Sequence, residues 1–229
     1  ETIVDLQRHP LSDASFRAAS KQALDQNGVL ALSGFLQPAT LTALVAEAKR
    51  NEDQAFFASS THNVYLTPPD QRLASDHVFN RQVISTKGCI CDDQVEEYSP
   101  LRQLYNAPAF QAFLCAVLGE VALHPYADPL SSINIHYAPA GKELGWHFDN
   151  SEFAITLLRQ RPTGGGAYEY SKDLRDAEQG EMNFAGVEAA LDGRLEPVGL
   201  DIQPGTLVLF RGRNALHRVT PTLGDITRY

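Results

Sequence analysis

From about residue 130 onward the chain is written in short runs broken by turn residues, and this pattern limits what it can fold into. Residues 132–137, 153–157 and 206–210 alternate or run apolar over strand length. Pro139-Ala140-Gly141, the stretch from Pro162 to Gly166, and Pro204-Gly205 separate them with turn chemistry. Several short strands at this spacing predict an all-β sandwich or barrel. Residues 172–194 interrupt the pattern with a polar, acidic stretch carrying helix formers at 187–191, which predicts an insertion or a helical excursion.

The N-terminal third reads differently, as helices with one strand. Ser12 or Asp13 can cap a helix whose Phe16, Ala19, Ala23 and Leu24 share a face, and Asn27-Gly28 can end it. The apolar run 29–32 is short enough for a buried strand. Pro38 then opens a second helix with Leu41, Leu44, Val45 and Ala48 at helical spacing, and Phe110, Phe113, Leu114, Val117 and Leu118 form a third stripe stopped by Gly119. With no repeat and no linker, one domain over 1–229 is expected: helical support over about 1–125 and a β core over about 126–229.

Charge and composition remove several function classes. Lys and Arg number 19 against 28 Asp and Glu, a net charge of −9 with no basic run, which argues against nucleic acid as a partner. No stretch approaches the length of a membrane-spanning helix, and residues 1–9 lack the basic and apolar regions of a signal peptide. Three cysteines cannot build a disulfide framework. A soluble cytoplasmic protein acting on a small molecule is the expectation.

His147 and Asp149 are the first pair with chemistry. In a strand, residues i and i+2 point to one face, so an imidazole nitrogen and a carboxylate oxygen can meet one ion. Alone the pair is a weak signal, equally satisfied by a histidine beside a surface aspartate. His217 follows an apolar strand seventy residues later, and Arg228 lies eleven residues beyond it. Two neutral imidazoles and a carboxylate on one face of an octahedral ion leave three positions open, the facial triad of non-haem Fe(II) oxygenases. Arg228 offers a planar fork that suits a carboxylate.

Together, His147, Asp149, His217 and Arg228 resemble the Fe(II)/2-oxoglutarate-dependent oxygenases, with their HxD…H…Arg pattern. Residues 28–35 resemble that superfamily's early Gly-strand-Gly-Phe segment, and Gly164–Gly166 followed by Ala-Tyr-Glu-Tyr resembles its hairpin between metal-binding strands. The resemblance implies a mostly β fold, a double-stranded β-helix (a cupin-like jelly roll) buttressed by N-terminal helices. It implies Fe(II), 2-oxoglutarate and O₂ as cofactors, with succinate and CO₂ as coproducts of C–H oxidation. His147, Asp149 and His217 would hold the metal, Arg228 would pair with the distal carboxylate of 2-oxoglutarate, and Tyr137 would touch the same cosubstrate. Residues 145–158 and 85–93 further resemble the branch of free-amino-acid radical halogenases and their hydroxylating relatives. In the halogenases Gly or Ala replaces the carboxylate ligand and vacates a place for chloride. Asp149 is present here, so the resemblance implies hydroxylation, with a free, lysine-like amino acid as substrate. A halogenase, a non-catalytic metal-binding jelly roll, and a hydroxylase or demethylase of macromolecules are the alternatives.

Other residues carry weaker expectations. Arg81 is a candidate for a substrate carboxylate, Asn150 for a polar head group, and Trp146 for a substrate wall, against surface, loop and core roles respectively. His136 is expected to be packed or hydrogen-bonded, and His9, His62, His77 and His124 to be surface or loop residues. Cys89 and Cys91 with distant Cys115 lack a fourth soft ligand for structural zinc. The fold implied by the resemblance is expected to run on past the Arg228 strand, so that either the domain ends early at Tyr229 or a tail that closes over the substrate lies outside these residues.

Overall fold

A computed structural model describes residues 2–128 and 130–229; Glu1, in the stretch read for a signal peptide, and Pro129, at the change of texture, lie outside them. The first helix, α1 (Ala14–Asn27), begins where Asp13 accepts a hydrogen bond from the Phe16 amide at 2.7 Å. It ends at Gly28, whose φ of 72° is the left-handed turn that glycine supplies without a Cβ penalty. Strand β1 (Val29–Leu32) follows, then α2 (Pro38–Asn51).

The N-terminal part also contains two strands that the sequence reading did not anticipate. These are β2 (Phe56–His62) and β3 (Val83–Ile90), paired antiparallel over seven residues. Helical support over 1–125 is therefore corrected: this region contributes three strands to the β core. β2 is an edge strand with exposed side chains, so it carries no apolar alternation to reveal it. Helices α3 (Pro100–Asn106) and α4 (Pro108–Leu118) precede β4 (Ile135–Tyr137), β5 (Glu143–His147), β6 (Ala154–Leu158), β7 (Gly164–Gly165) and β8 (Tyr168–Ser171). The acidic excursion supplies α5 (Phe184–Leu191), and β9 (Val198–Leu200), β10 (Thr206–Phe210), β11 (Leu216–Val219) and β12 (Thr222–Leu223) complete the chain.

All pairings among the described residues are antiparallel. The larger sheet runs β2-β3-β5-β11-β8-β9, with β4 on β3; the smaller runs β1-β10-β6, and β7 pairs with β12. This is a double-stranded β-helix with helices against its smaller sheet. Strand β10 shows how the layers are held. Leu207 and Leu209 join the helix-side cluster with Leu24, Leu44 and Phe113, while Val208 and Phe210 join Val29, Leu158 and Tyr170 in another. Buried on both faces, β10 is a continuous apolar run. At the other end, α5 brings Val187 and Ala190 onto Tyr65, Trp146 and Phe148. No described helix is long and apolar enough to cross a membrane.

Candidate metal centre

The larger sheet sets His147 and His217 side by side, because they are register partners between β5 and β11. Two residues on, Asp149 is fixed by its backbone: its amide donates to the Gly212 carbonyl at 3.0 Å, and the Phe148 amide donates to Val64 at 2.8 Å. Phe148 is fully buried in the α5-side cluster, so the residues either side of it turn the other way. The side chains of His147, Asp149 and His217 thus converge, with one ligand atom from each within 4.8 Å of the others. Asp149 Oδ1 stands 3.6 Å from His147 Nε2 and 3.5 Å from His217 Nε2.

Hydrogen bonding fixes which nitrogens are free. His147 Nδ1 lies 2.8 Å from the Gly145 carbonyl and His217 Nδ1 3.0 Å from the Ala215 carbonyl. A carbonyl only accepts, so both Nδ1 atoms carry the proton and both Nε2 atoms present lone pairs. Two nitrogen lone pairs and a carboxylate oxygen face one another, and Asp149 Oδ2 is buried without a partner. A divalent cation relieves that repulsion, and the N,N,O donor set fits iron with open positions. Burial, reinforced by His217, pushes the His147 imidazole down to about 4, which keeps it neutral as a ligand must be. Burial alone would raise Asp149, but the neighbouring His217 and His147, wherever they take up a proton, and the Arg175 charge hold it below the usual carboxylate value.

Surrounding groups lock this arrangement. A Cβ at Gly212 would overlap Asp149 Oδ2 and lie 2.6 Å from its Cγ, so only glycine lets the carboxylate sit here. Ser85 Oγ accepts from the Gly145 amide at 3.0 Å and lies 2.7 Å from His62 Nε2; His62 Nδ1 in turn lies 2.9 Å from the Asn63 carbonyl. His62, expected on the surface, is a neighbour of the triad, its ring 6.3 Å from that of His147. Its sequence spacing carries no ligand signal because it reaches the site through an unanticipated strand.

Arg228 comes to the same interior. Its backbone bridges Ala138 with bonds of 2.9 and 3.0 Å, and its guanidinium has no carboxylate partner among the described residues. Burial holds its pKa below the ordinary arginine value, opposed by nearby Tyr168. Tyr168 stacks on the His217 ring at 5.8 Å, and burial, with Asp149 beside it, pushes its phenol well up. Both residues line a cavity of about 330 Å³ that continues past Gly199 and Ile202, and no triad residue lines it.

The structure gives three of the expected ligand contacts, Tyr137, Arg81 and Trp146, other partners. Tyr137 is fully buried on the opposite face of β4 from His136, and its hydroxyl donates to the Ala48 carbonyl at 3.0 Å. His136, its neighbour, points the opposite way, into solvent-accessible space enclosed by the fold, where desolvation by the surrounding protein and the charges of Lys87, Arg228 and Arg159 push it down to about 3. Arg81 is held by Asp192 and the Leu191 carbonyl. Trp146 is buried in the α5-side cluster beneath the Arg218 guanidinium, 4.5 Å from its ring centre. Asn150 is exposed next to Asp149 and makes no side-chain hydrogen bond among the described residues. The cysteines are free and half-buried.

The family model described as Halogenase D matches residues 12–229. The chain belongs to the Halogenase D family. Solved structures place this Halogenase D member in the fold of the 2-oxoglutarate/Fe(II) oxygenases. A 2OG-Fe(II) oxygenase-family oxidoreductase from Burkholderia pseudomallei aligns with 93% of this chain and 86% of its own, at 13% identity and a TM-score of 0.57. The carbocyclase SnoK from nogalamycin biosynthesis aligns over 92% and 79%, at 15% identity and 0.62. A Pseudomonas putida prolyl-4-hydroxylase aligns over 93% and 95%, at 14% identity and 0.56. No curated protein sequence matches this Halogenase D member.

Proposed function

We propose that this protein is an Fe(II)- and 2-oxoglutarate-dependent oxygenase that hydroxylates an unactivated C–H bond in a small polar metabolite, a free amino acid. The convergence of the two bare Nε2 atoms and the Asp149 carboxylate carries the reading. His147, Asp149 and His217 would hold iron, and Arg228 would take the distal carboxylate of 2-oxoglutarate as a bidentate partner. Bound iron with 2-oxoglutarate and O₂ supplies the oxidising power. The chain's own work is positional: Gly212 and the Ser85–His62 chain fix the ligands, and Phe210 and Tyr168 pack on His217 and keep water from its edge. Three free thiols suit the reducing cytoplasm.

Asp149 favours hydroxylation over the halogenation that the family's name suggests. Its carboxylate fills the position that a halide would need, and Gly212 closes behind it. Anaerobic Fe(II) and 2-oxoglutarate should give a visible metal-to-ligand charge-transfer absorption that His147→Ala and His217→Ala each abolish; unaltered absorption in both variants would sink the assignment. Aerobic turnover with free amino acids should give succinate and a product heavier by one oxygen. The family match supports halogenation as a second reading, and a chlorinated or brominated product from the native protein would establish it instead.

A further inference from the structure

A lysine stands on the same face as Arg228, beside the candidate metal centre. Lys87 Nζ lies 3.3 Å from His136 Nε2 and has no carboxylate partner among the described residues. Gly88 is the register partner of Tyr137, which sets Lys87 opposite Ala138, and Ala138 is bridged on its other side by Arg228. Lys87 and Arg228 therefore stand on the strands flanking Ala138, and paired residues share a face with it and with His136. Lys87 is half-buried, and burial lowers its pKa against the opposing influence of Cys89 and then Asp149. His136, neutral, accepts one ammonium hydrogen and leaves two for another acceptor.

The charges can be assigned one by one. Resting on the function proposed above, a divalent metal and Arg228 balance Asp149 and the two carboxylates of 2-oxoglutarate. Arg159, with an unpartnered buried Nη1, has the buried Glu47 charge near it. Lys87 remains over. A partly buried ammonium ion whose one protein partner is a neutral imidazole is open to an anionic ligand. We infer that Lys87, steadied by His136, is the residue that holds the carboxylate of the primary substrate beside the metal centre. The carboxylate, rather than a cationic side chain, is then the obligatory recognition feature.

The test compares the native protein with Lys87→Met and Lys87→Arg under anaerobic conditions, with Fe(II) present throughout. The first measurement is the 2-oxoglutarate dissociation constant from the charge-transfer absorption. The second is calorimetric binding, in the presence of 2-oxoglutarate, of the proteinogenic amino acids and of the primary amines that lack their carboxylate. The native protein should bind one or more acids and none of the amines. Lys87→Met should weaken that acid by about ten- to a hundredfold, the range of a lost charge-assisted bond, while 2-oxoglutarate binding stays within about twofold. Lys87→Arg should recover part of the loss. Equal binding of amines, binding of no acid, or a loss centred on 2-oxoglutarate in Lys87→Met would each overturn the inference. Absence of the charge-transfer absorption in the native protein would instead remove the iron-centre reading, and the inference with it.

Discussion

Gly212→Ala should damage the metal centre from a position that touches no metal. The new Cβ would lie 2.6 Å from Asp149 Cγ and 3.0 Å from its Cβ, with Oδ2 closer still. Ordinary carbon contacts need about 3.5 Å, so the carboxylate must retreat by roughly 1 Å or Gly212 must release the Asp149 amide. Overpacking of this kind costs about 1–3 kcal/mol, which for a chain of this size lowers Tm by about 3–10 °C. Displacing a ligand through its support weakens metal binding by about ten- to a hundredfold. Both quantities are measurable, by thermal unfolding of the metal-free protein and by anaerobic Fe(II) titration. Gly199→Ala in β9 is the control, because a Cβ there meets nothing within 4 Å, and it should leave both unchanged.

A double-mutant cycle locates the clash. In an Asp149→Ala background the obstructing carboxylate is gone, so adding Gly212→Ala should have little further effect on Tm, giving a coupling of at least about 1 kcal/mol. Equal destabilisation by Gly212→Ala with and without Asp149 would refute the reasoning, because the strain would then lie elsewhere.

Arg228→Ala should raise the 2-oxoglutarate requirement by about tenfold or more while leaving Fe(II) affinity unchanged; parallel losses in both titrations would contradict its role. Saturating the apoprotein with a divalent ion at about 100 times its Kd should add about 2.7 kcal/mol, raising Tm by about 5–10 °C, and a chelator should reverse the shift. The metal-free protein should lose stability as pH falls from 6.5 towards 4. Over that window the unfolded chain protonates its histidine at position 147 while the folded site refuses the proton until about 4. Urea unfolding at pH 7 and pH 4.5 should therefore differ by up to about 3 kcal/mol, and His147→Gln should shrink the difference. Ser85→Ala should weaken Fe(II) binding more than it lowers Tm, since it frees the Gly145 amide behind His147.

Where sequence legibility ended has physical causes. Caps, turns and one-sided stripes are local, so α1, α2, α4 and β10 lie where Asp13, Gly28, Pro38, Gly119 and the apolar run at 206–210 put them. Period two put His147 and Asp149 on one side, whereas His217 joined them only through the HxD…H…Arg pattern, because the pairing of β5 with β11 is long-range. Strand β2 was illegible because an edge strand with exposed side chains has no face to encode. Tyr137 was misassigned because HY at 136–137 offers two ring side chains on opposite faces, and strand phase decides which enters. That phase is set by the pairing of Gly88 with Tyr137 across β3 and β4, a long-range contact. Lys87 and His62 escaped notice for the same reason.

The backbone carbonyls of Gly145 and Ala215 have a consequence for metal choice. Because each imidazole is already turned and deprotonated at Nε2 by its own strand, the donor set is complete before any ion arrives. Such a preformed set has little means of rejecting a divalent ion of similar size, and nitrogen–oxygen sites bind nickel, copper or zinc more tightly than ferrous iron. Iron occupancy then depends on which metals the surroundings supply. Protein prepared without iron enrichment should carry zinc or nickel, hold them firmly, and be inert until exchanged.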